Sequence, residues 1–584
     1  MLQSNPVVRF AVLACAIAFT PFVAAQTASP FASGAWSGNV TPTSATVSIR
    51  LVAPGLGVRL ALGTAAGLAS PKYFGAITTT TAAGNSAMID AAGLTPDTEY
   101  FYGFEVAGVL RTEANSRGRF RTFPSGAASF KIAFSGDSHY TTPNQSAFDE
   151  ILAARPLLFI HLGDLHYNDT NTTNLDDYRA NYDRVLNQSN ESAFFRGVPL
   201  AYMWDDHDAM GNDCDGSFIG VPSARTVYRE RVPHYQIGPT DGSIGQSFTI
   251  GRVRVIMTDT RSAATPSIQP ESSTKSRLGV AQKAWFEQEL ISARDNGYPL
   301  ILWVETDPWI DPPSVGADTW AGWATERTEL ANFLRANRIN NVVLLSADMH
   351  ALAYDDGTHS DYATGGGAPL TVLQAAALTE GGTIKGGPYS AGPLAGAQQY
   401  GMLEITDTGG STIGCRFLGM KVGEGIKLAF RFTASATAIN GFISPGTVGP
   451  VDRALVNISS RGRIANPGDT LIAGFVISGS SSRSILLRAA GPSLAAFGIT
   501  DAVTQARLAL FQGNKLLATN SDWGLVGADR LTIAFDRAGA FRFQSTSSHD
   551  SAFLITLQPG AYTLQTGSAD GSTGTILAEA YEVP

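Results

Sequence analysis

The sequence predicts a multidomain chain with an α/β domain at its centre and an all-β module on either side. Near both ends, apolar and polar residues alternate with period two, as in Ala45-Thr46-Val47-Ser48-Ile49-Arg50-Leu51 and Thr470-Leu471-Ile472-Ala473-Gly474-Phe475-Val476-Ile477. Residues 129–438 instead alternate short, wholly apolar runs with helical stretches at 282–294 and 326–337, the pattern of buried strands joined by helices. Composition agrees: of 584 residues 44% are hydrophobic, only 16% are charged and 61 are Gly. That length suits about three domains.

Taken in order, residues 1–25 read as an export signal. Arg9 supplies the positive start, residues 10–23 are mostly apolar, and Val23-Ala24-Ala25 precedes Gln26 as a cleavage site. The apolar stretch is short for a membrane span. The expectation is a secreted, periplasmic or cell-surface bacterial protein with no transmembrane segment after cleavage. Cys15 leaves with the signal, and Cys214 and Cys415 either form one disulfide or stay free; two thiols are too few to frame a fold.

Residues 33–124 follow. The stretch Leu94-Thr95-Pro96-Asp97-Thr98-Glu99-Tyr100-Phe101-Tyr102 sets a turn directly before an aromatic strand. Its Leu-x-Pro-x-Thr-x-Tyr turn resembles that of a fibronectin type III β-sandwich, a likeness of fold that says little about function. At the other end, a Gly-, Ser- and Pro-rich linker spans 439–450, and residues 452–584 are expected to form an all-β sandwich of unfixed role, with cell-surface or glycan contact as one use.

The central region repeats one junction. An apolar run ends in an acid at Gly136-Asp137-Ser138-His139, Gly163-Asp164-Leu165-His166-Tyr167, Asp205-Asp206-His207-Asp208, Asp259-Thr260-Arg261, Glu305-Thr306-Asp307 and Ala347-Asp348-Met349-His350. Ligands of α/β sheets gather beyond the carboxyl ends of the strands, so these acids converge on one crevice. Crowded carboxylates repel each other, and a cation removes that penalty. Five of the 8 His, namely His139, His161, His166, His207 and His350, lie in these junctions. Mixed carboxylate and imidazole ligands suit a transition metal. The net charge of -9 argues against nonspecific nucleic-acid binding.

This ordered set, with Leu278-Gly279-x-x-Gln282 between its members, resembles the calcineurin-like metallophosphoesterases, and most closely their PhoD-like alkaline phosphatase group, over residues 33–435. The resemblance implies a central sandwich of two sheets flanked by helices and a phosphate-ester substrate. It further implies two metal ions, Fe3+ with Ca2+ or Zn2+, held by Asp137, His139, Asp164, Tyr167, Asp206, Asp348 and His350. Asp164 would bridge the ions, Tyr167 would be an iron-binding phenolate, and His207 would contact phosphate or protonate the leaving oxygen. Arg261 is a candidate to hold a phosphate oxygen, with an ion-pair role as the alternative. The superfamily's fourth-motif His is replaced here by Glu305-Thr306-Asp307, so Glu305, Asp307 and Asp205 are possible extra ligands. Two rival expectations stand beside hydrolysis: a degenerate member that binds without turnover, and a surface adhesion protein built on its β modules.

Overall fold

The structure, a computed structural model, describes residues 28–142, 145–382, 384–440, 458–477 and 483–583. The expected signal at 1–25 and most of the expected linker at 439–450 lie outside these residues. The chain divides into two compact units, Met1–Phe442 and Ile443–Pro584.

In the first unit two sheets lie face to face. One carries the parallel strands Phe130–Ser135, Leu158–Leu162 and Leu200–Met203; the other carries Val253–Met257, Leu300–Val304, Val342–Ser346 and Thr371–Ala375, also parallel. Their uniform apolarity has a geometric reason, since both faces of each strand are covered. Leu300, Leu302 and Val304 enter the core between the sheets, whereas Ile301 and Trp303 enter a second core with Phe286 and Leu290 of the helix Val280–Asp295 and Leu330 and Leu334 of the helix Ala324–Ala336. On the far side of the first sheet, Phe194 of the helix Ser189–Gly197 packs on Phe159 and on Phe148 of the helix Ser146–Ala154. Met257 pairs with Val304 and Val304 with Leu345, while Leu162 pairs with Met203. The strands therefore end together, and the residues that follow share one edge.

The N-terminal segment, expected as a fibronectin type III-like domain, shares a sheet with the central domain. Its strands Trp36–Gly38, Ser44–Arg50 and Ser86–Ala92 continue the first central sheet, because Trp36–Gly38 runs parallel to Leu200–Met203 with Gly38 opposite Leu200. The joint between residues 124 and 129 thus links two segments whose strands share one sheet. Gly38 makes the seam possible: a Cβ there would lie 2.5 Å from the carbonyl oxygens of both Leu200 and Pro233. A second sheet, containing Gly57–Gly63, Glu99–Val106 and Gly118–Arg121, packs Leu60 and Phe104 into the same core as Val47 and Ile89. The Leu-x-Pro-x-Thr-x-Tyr turn closes on itself, with Thr95 N–H donating to Tyr100 Oη at 3.0 Å.

The second unit holds two four-stranded antiparallel sheets that share a core including Ile485, Leu487, Leu508, Leu510 and Leu564. It also contains a helix, Ala528–Ala538, which the all-β expectation missed. Leu531, Ala534 and Phe535 recur at helical spacing and bury against Trp523 and Phe543, so the signal was present but short. Cys214 and Cys415 are both free and buried. Among the described residues no helix is long and apolar enough to cross a membrane.

Replacing Gly38 by Val forces a side chain between two carbonyls at the seam. The expected result is a loss of about 1–3 kcal/mol of stability, read as a lower denaturant midpoint; an unchanged midpoint would show that the seam does not hold the two regions together.

Candidate metal centre

Each strand end turns sharply. Asp137, Asp164, Asp348 and His350 have φ of 60, 53, 57 and 48°, in the left-handed region that Asp and His enter more readily than most residues. These turns swing the side chains off the sheet edge and toward one another. The glycines before the first two acids allow the strand ends to approach closely. A Cβ at Gly163 would lie 2.3 Å from Asp205 Cβ, and one at Gly136 would lie 3.0 Å from Ala347 Cβ. Ala347 is accommodated because Gly136 faces it.

Three side chains from separate strand ends meet at one point. His350 Nε2 lies 3.0 Å from Asp137 Oδ1, Tyr167 Oη lies 3.4 Å from the same oxygen, and Tyr167 Oη lies 3.3 Å from His350 Nε2. Atoms that each bind one ion at about 2.0–2.2 Å stand about 3.0–3.5 Å apart, so this triangle fits a common cation. Asp137 Oδ2 and Asp348 Oδ2 are buried with no hydrogen-bond partner, as expected of carboxylates shaped for an ion. Asp164, Asp206 and His207 form a second group whose ligand atoms lie within 4.8 Å of one another. Asp164 also lies close enough to the Tyr167 phenol to push it up, so it stands between the two groups. Asp205, Asp307 and Asp348 form a third such group.

Electrostatics separates these acids. Burial, reinforced by Asp206 and Asp205, pushes Asp164 well above the usual carboxylate range. Asp348 is also raised, by burial against the opposing pull of Lys385. Burial would raise Asp206 too, but Arg261, His207 and Lys385 together outweigh it and hold that carboxyl down to about 2. Its oxygens accept from the backbone N–H of His207 at 2.8 Å and of Asp213 at 2.7 Å. Burial also pushes the Tyr167 phenol up, with Asp164 and Asp137 adding to it. For His350 burial acts downward, yet Asp137 prevails and lifts the ring to about 9. Burial and neighbouring charge thus favour the protonated Tyr167 phenol and His350 ring, and an ion binding there would release those protons.

Several sequence-predicted residues sit elsewhere. Arg261 is fully buried and all five of its N–H groups are engaged. Nε donates to Asp205 at 2.6 Å, one terminal nitrogen to Asp318 at 2.7 Å and Cys214 O at 3.4 Å, the other to Asp307 at 2.8 Å and Asp318 at 3.0 Å. It has no donor left for phosphate, and its role is the ion-pair alternative. Asp307 also pairs with Arg277, so Asp205 and Asp307 serve arginines. Glu305 is raised well above its usual range by burial and by Asp307, and it accepts from the Asp307 N–H at 3.1 Å. His139 stacks on Tyr167 with ring centres 5.6 Å apart and turns Nδ1 to Thr141 at 2.7 Å, flanking the triangle. His161 and His166 are buried, and burial lowers both to about 3; they belong to the core.

Other residues enter the site without having been predicted. Asp169 Oδ1 lies 2.5 Å from His207 Nδ1, and the Tyr167 ring lies 4.2 Å from the His207 ring. Asp208 anchors the turn by accepting from the N–H groups of His166 and Asp205 at 3.1 and 3.2 Å. Asp169 follows the second motif closely and could have been noticed there. Asp318 and Lys385 come from loops without a motif, so no local signal marks them.

Comparisons with known proteins follow this geometry. A family model described as PhoD-like phosphatase matches residues 130–386, and one described as its N-terminal domain matches 14–124. Alkaline phosphatase D of Bacillus subtilis (strain 168) is 23% identical over 327 residues, which are 48% of this chain and 55% of that protein. The match therefore spans about half the length of that relative. A solved structure of PhoD superposes with a TM-score of 0.58 at 19% identity, covering 70% of this chain and 92% of the other; it shows the shared fold.

Arg261→Met leaves Asp205, Asp307 and Asp318 buried without their partner. The expected cost is about 3–5 kcal/mol in chemical unfolding. A variant of full stability whose only defect was weaker phosphate binding would reverse the assignment.

Proposed function

The chain belongs to the PhoD-like phosphatase family, and from that premise we propose that it is a secreted, metal-dependent phosphoesterase that hydrolyses phosphate mono- or diesters at a dinuclear centre. The observation that carries the proposal is the triangle of Asp137, Tyr167 and His350 with Asp164 between it and Asp206. One ion would be held by Asp137, Tyr167, His350 and Asp164. The other would be held by Asp164, Asp206 and Asp348. Phenolate with imidazole favours Fe3+ at the first position, and carboxylates favour Ca2+ or Zn2+ at the second.

The chemistry such ions supply when bound is Lewis acidity toward a water and toward phosphate oxygens. The chain's own residues do the rest. Asp169 accepts from His207 Nδ1, which leaves Nε2 as the nitrogen that can donate a proton to the departing alcohol oxygen. The Tyr167 ring holds the imidazole plane. Asp164 orients the same residue from below by accepting its backbone N–H at 3.2 Å. The export signal read in the sequence supports a location outside the cytoplasm. The separate compactness of Ile443–Pro584 supports an appended role in cell-surface or glycan contact.

A second reading has one observation in its favour. The strand end at Glu305 offers a buried carboxyl raised above its usual range and an arginine-paired Asp307 in place of a His ligand, which suits a member that binds without turnover.

Asp164→Ala is expected to lose bound metal and hydrolysis together, measured by elemental analysis and by mono- and diester assays. Full activity in that variant would sink the centre, and a metal-loaded wild type inert toward both ester classes would establish the second reading. Asp169→Asn should lower kcat by about 10²-fold with KM little changed. If the first ion is ferric, the purified protein should be coloured and Tyr167→Phe should lose the visible band; an active, colourless, iron-free protein would rule iron out.

A further inference from the structure

Lys385 lies outside every motif, on the loop after the strand Thr371–Ala375. Its ammonium donates to Asp348 Oδ1 at 2.7 Å. The other carboxylates of that region have different partners: Asp205 and Asp307 hold Arg261, and Asp307 also holds Arg277. Among the described residues Asp348 forms its ion pair with Lys385. Asp206 and Asp318 stand near enough to act on the same charge. The second oxygen of Asp348 is buried and without a hydrogen-bond partner.

We propose that Lys385 is the resident cation of the Asp206–Asp348 side of the centre, so that a metal ion binds there only by displacing its ammonium. The inference rests on the metal reading of the proposed function. An ammonium and a metal ion compete for the same carboxylate oxygens and repel each other. Lysine suits such an exchange, since its charge is compact and its four-carbon stem can swing. The Lys385 side chain is 29% exposed, against 4% for that of Asp348, so the ammonium has a path to water when displaced. Arg261, with every donor engaged and 1% exposure, has none. The two ion positions therefore differ in kind. The Asp137–Tyr167–His350 position binds first and tightly, and the second fills only as free metal rises.

The test is a calorimetric titration of the chelator-stripped full chain with Mn2+, with electron paramagnetic resonance distinguishing isolated from spin-coupled ions. Wild type should take up Mn2+ in two separated steps. Lys385→Met and Lys385→Gln should leave the first step in place and tighten the second by about tenfold or more, bringing the spin-coupled signal to lower Mn2+. Lys385→Arg should keep the weak second step. Preservation of the first step reports that the variants are folded. A second step that is unchanged or weaker in both uncharged variants overturns the role of Lys385 and leaves the metal centre standing. No Mn2+ uptake by the wild type overturns both.

Discussion

Carboxylates taken out of water onto one sheet edge repel each other, and the rest of the centre is organised around that repulsion. Asp164 and Asp348 respond by rising above the usual carboxylate range, while Asp206, with Arg261, His207 and Lys385 around it, stays ionised. The chain neutralises part of the charge itself. Arg261 and Arg277 take the Asp205, Asp307 and Asp318 side, where the fork geometry of guanidinium matches carboxylate pairs. What remains, Asp137 with Asp164 and Asp206, lies beside Tyr167, His207 and His350, the donors a transition metal uses. Structural and ligating acids therefore share one crevice, with Arg261 hydrogen-bonded to Asp205, Asp307 and Asp318 and only 3.9 Å from Asp206.

The geometry that gathers them is costly. Non-glycine residues with positive φ store backbone strain, which persists only where the surroundings over-determine it. Strands buried on both faces provide that rigidity, because neither sheet can shift without disturbing the core it shares with the other or with its helices. A site assembled on strand ends is thus held more firmly than one on free loops. Lys385 is the contrast: it arrives on a loop, is part-exposed, and carries a charge that can leave.

The N-terminal strands extend this rigidity. By pairing Gly38 with Leu200 they cover the edge of the sheet whose next strand ends at Asp205 and Asp206. An exposed edge there would be a template for association. The indole of Trp36 reaches across to Arg231 O at 2.8 Å, tying the same strand to the helix Val221–Arg231 behind the site.

The sequence by itself determined the strands, their acidic ends and the layered α/β class, because apolar periodicity and strand-end motifs are local and each reports its own burial. It also brought Asp137, Asp164, Asp206 and His350 to the sheet edge, since a motif on a buried strand can point only there, and the family resemblance added Tyr167. It could not tell that Arg261 is saturated, that Asp205 and Asp307 serve arginines, or that His161 and His166 belong to the core. Those outcomes depend on which charged groups meet across distances of dozens to hundreds of residues, as Asp318 meets Arg261 and Lys385 meets Asp348. The merging of the N-terminal strands into the central sheet was equally hidden, because a strand's own pattern records that it is paired but not with what. Tertiary structure decided both matters, through the pairing of charges in a crevice too dry to leave them alone.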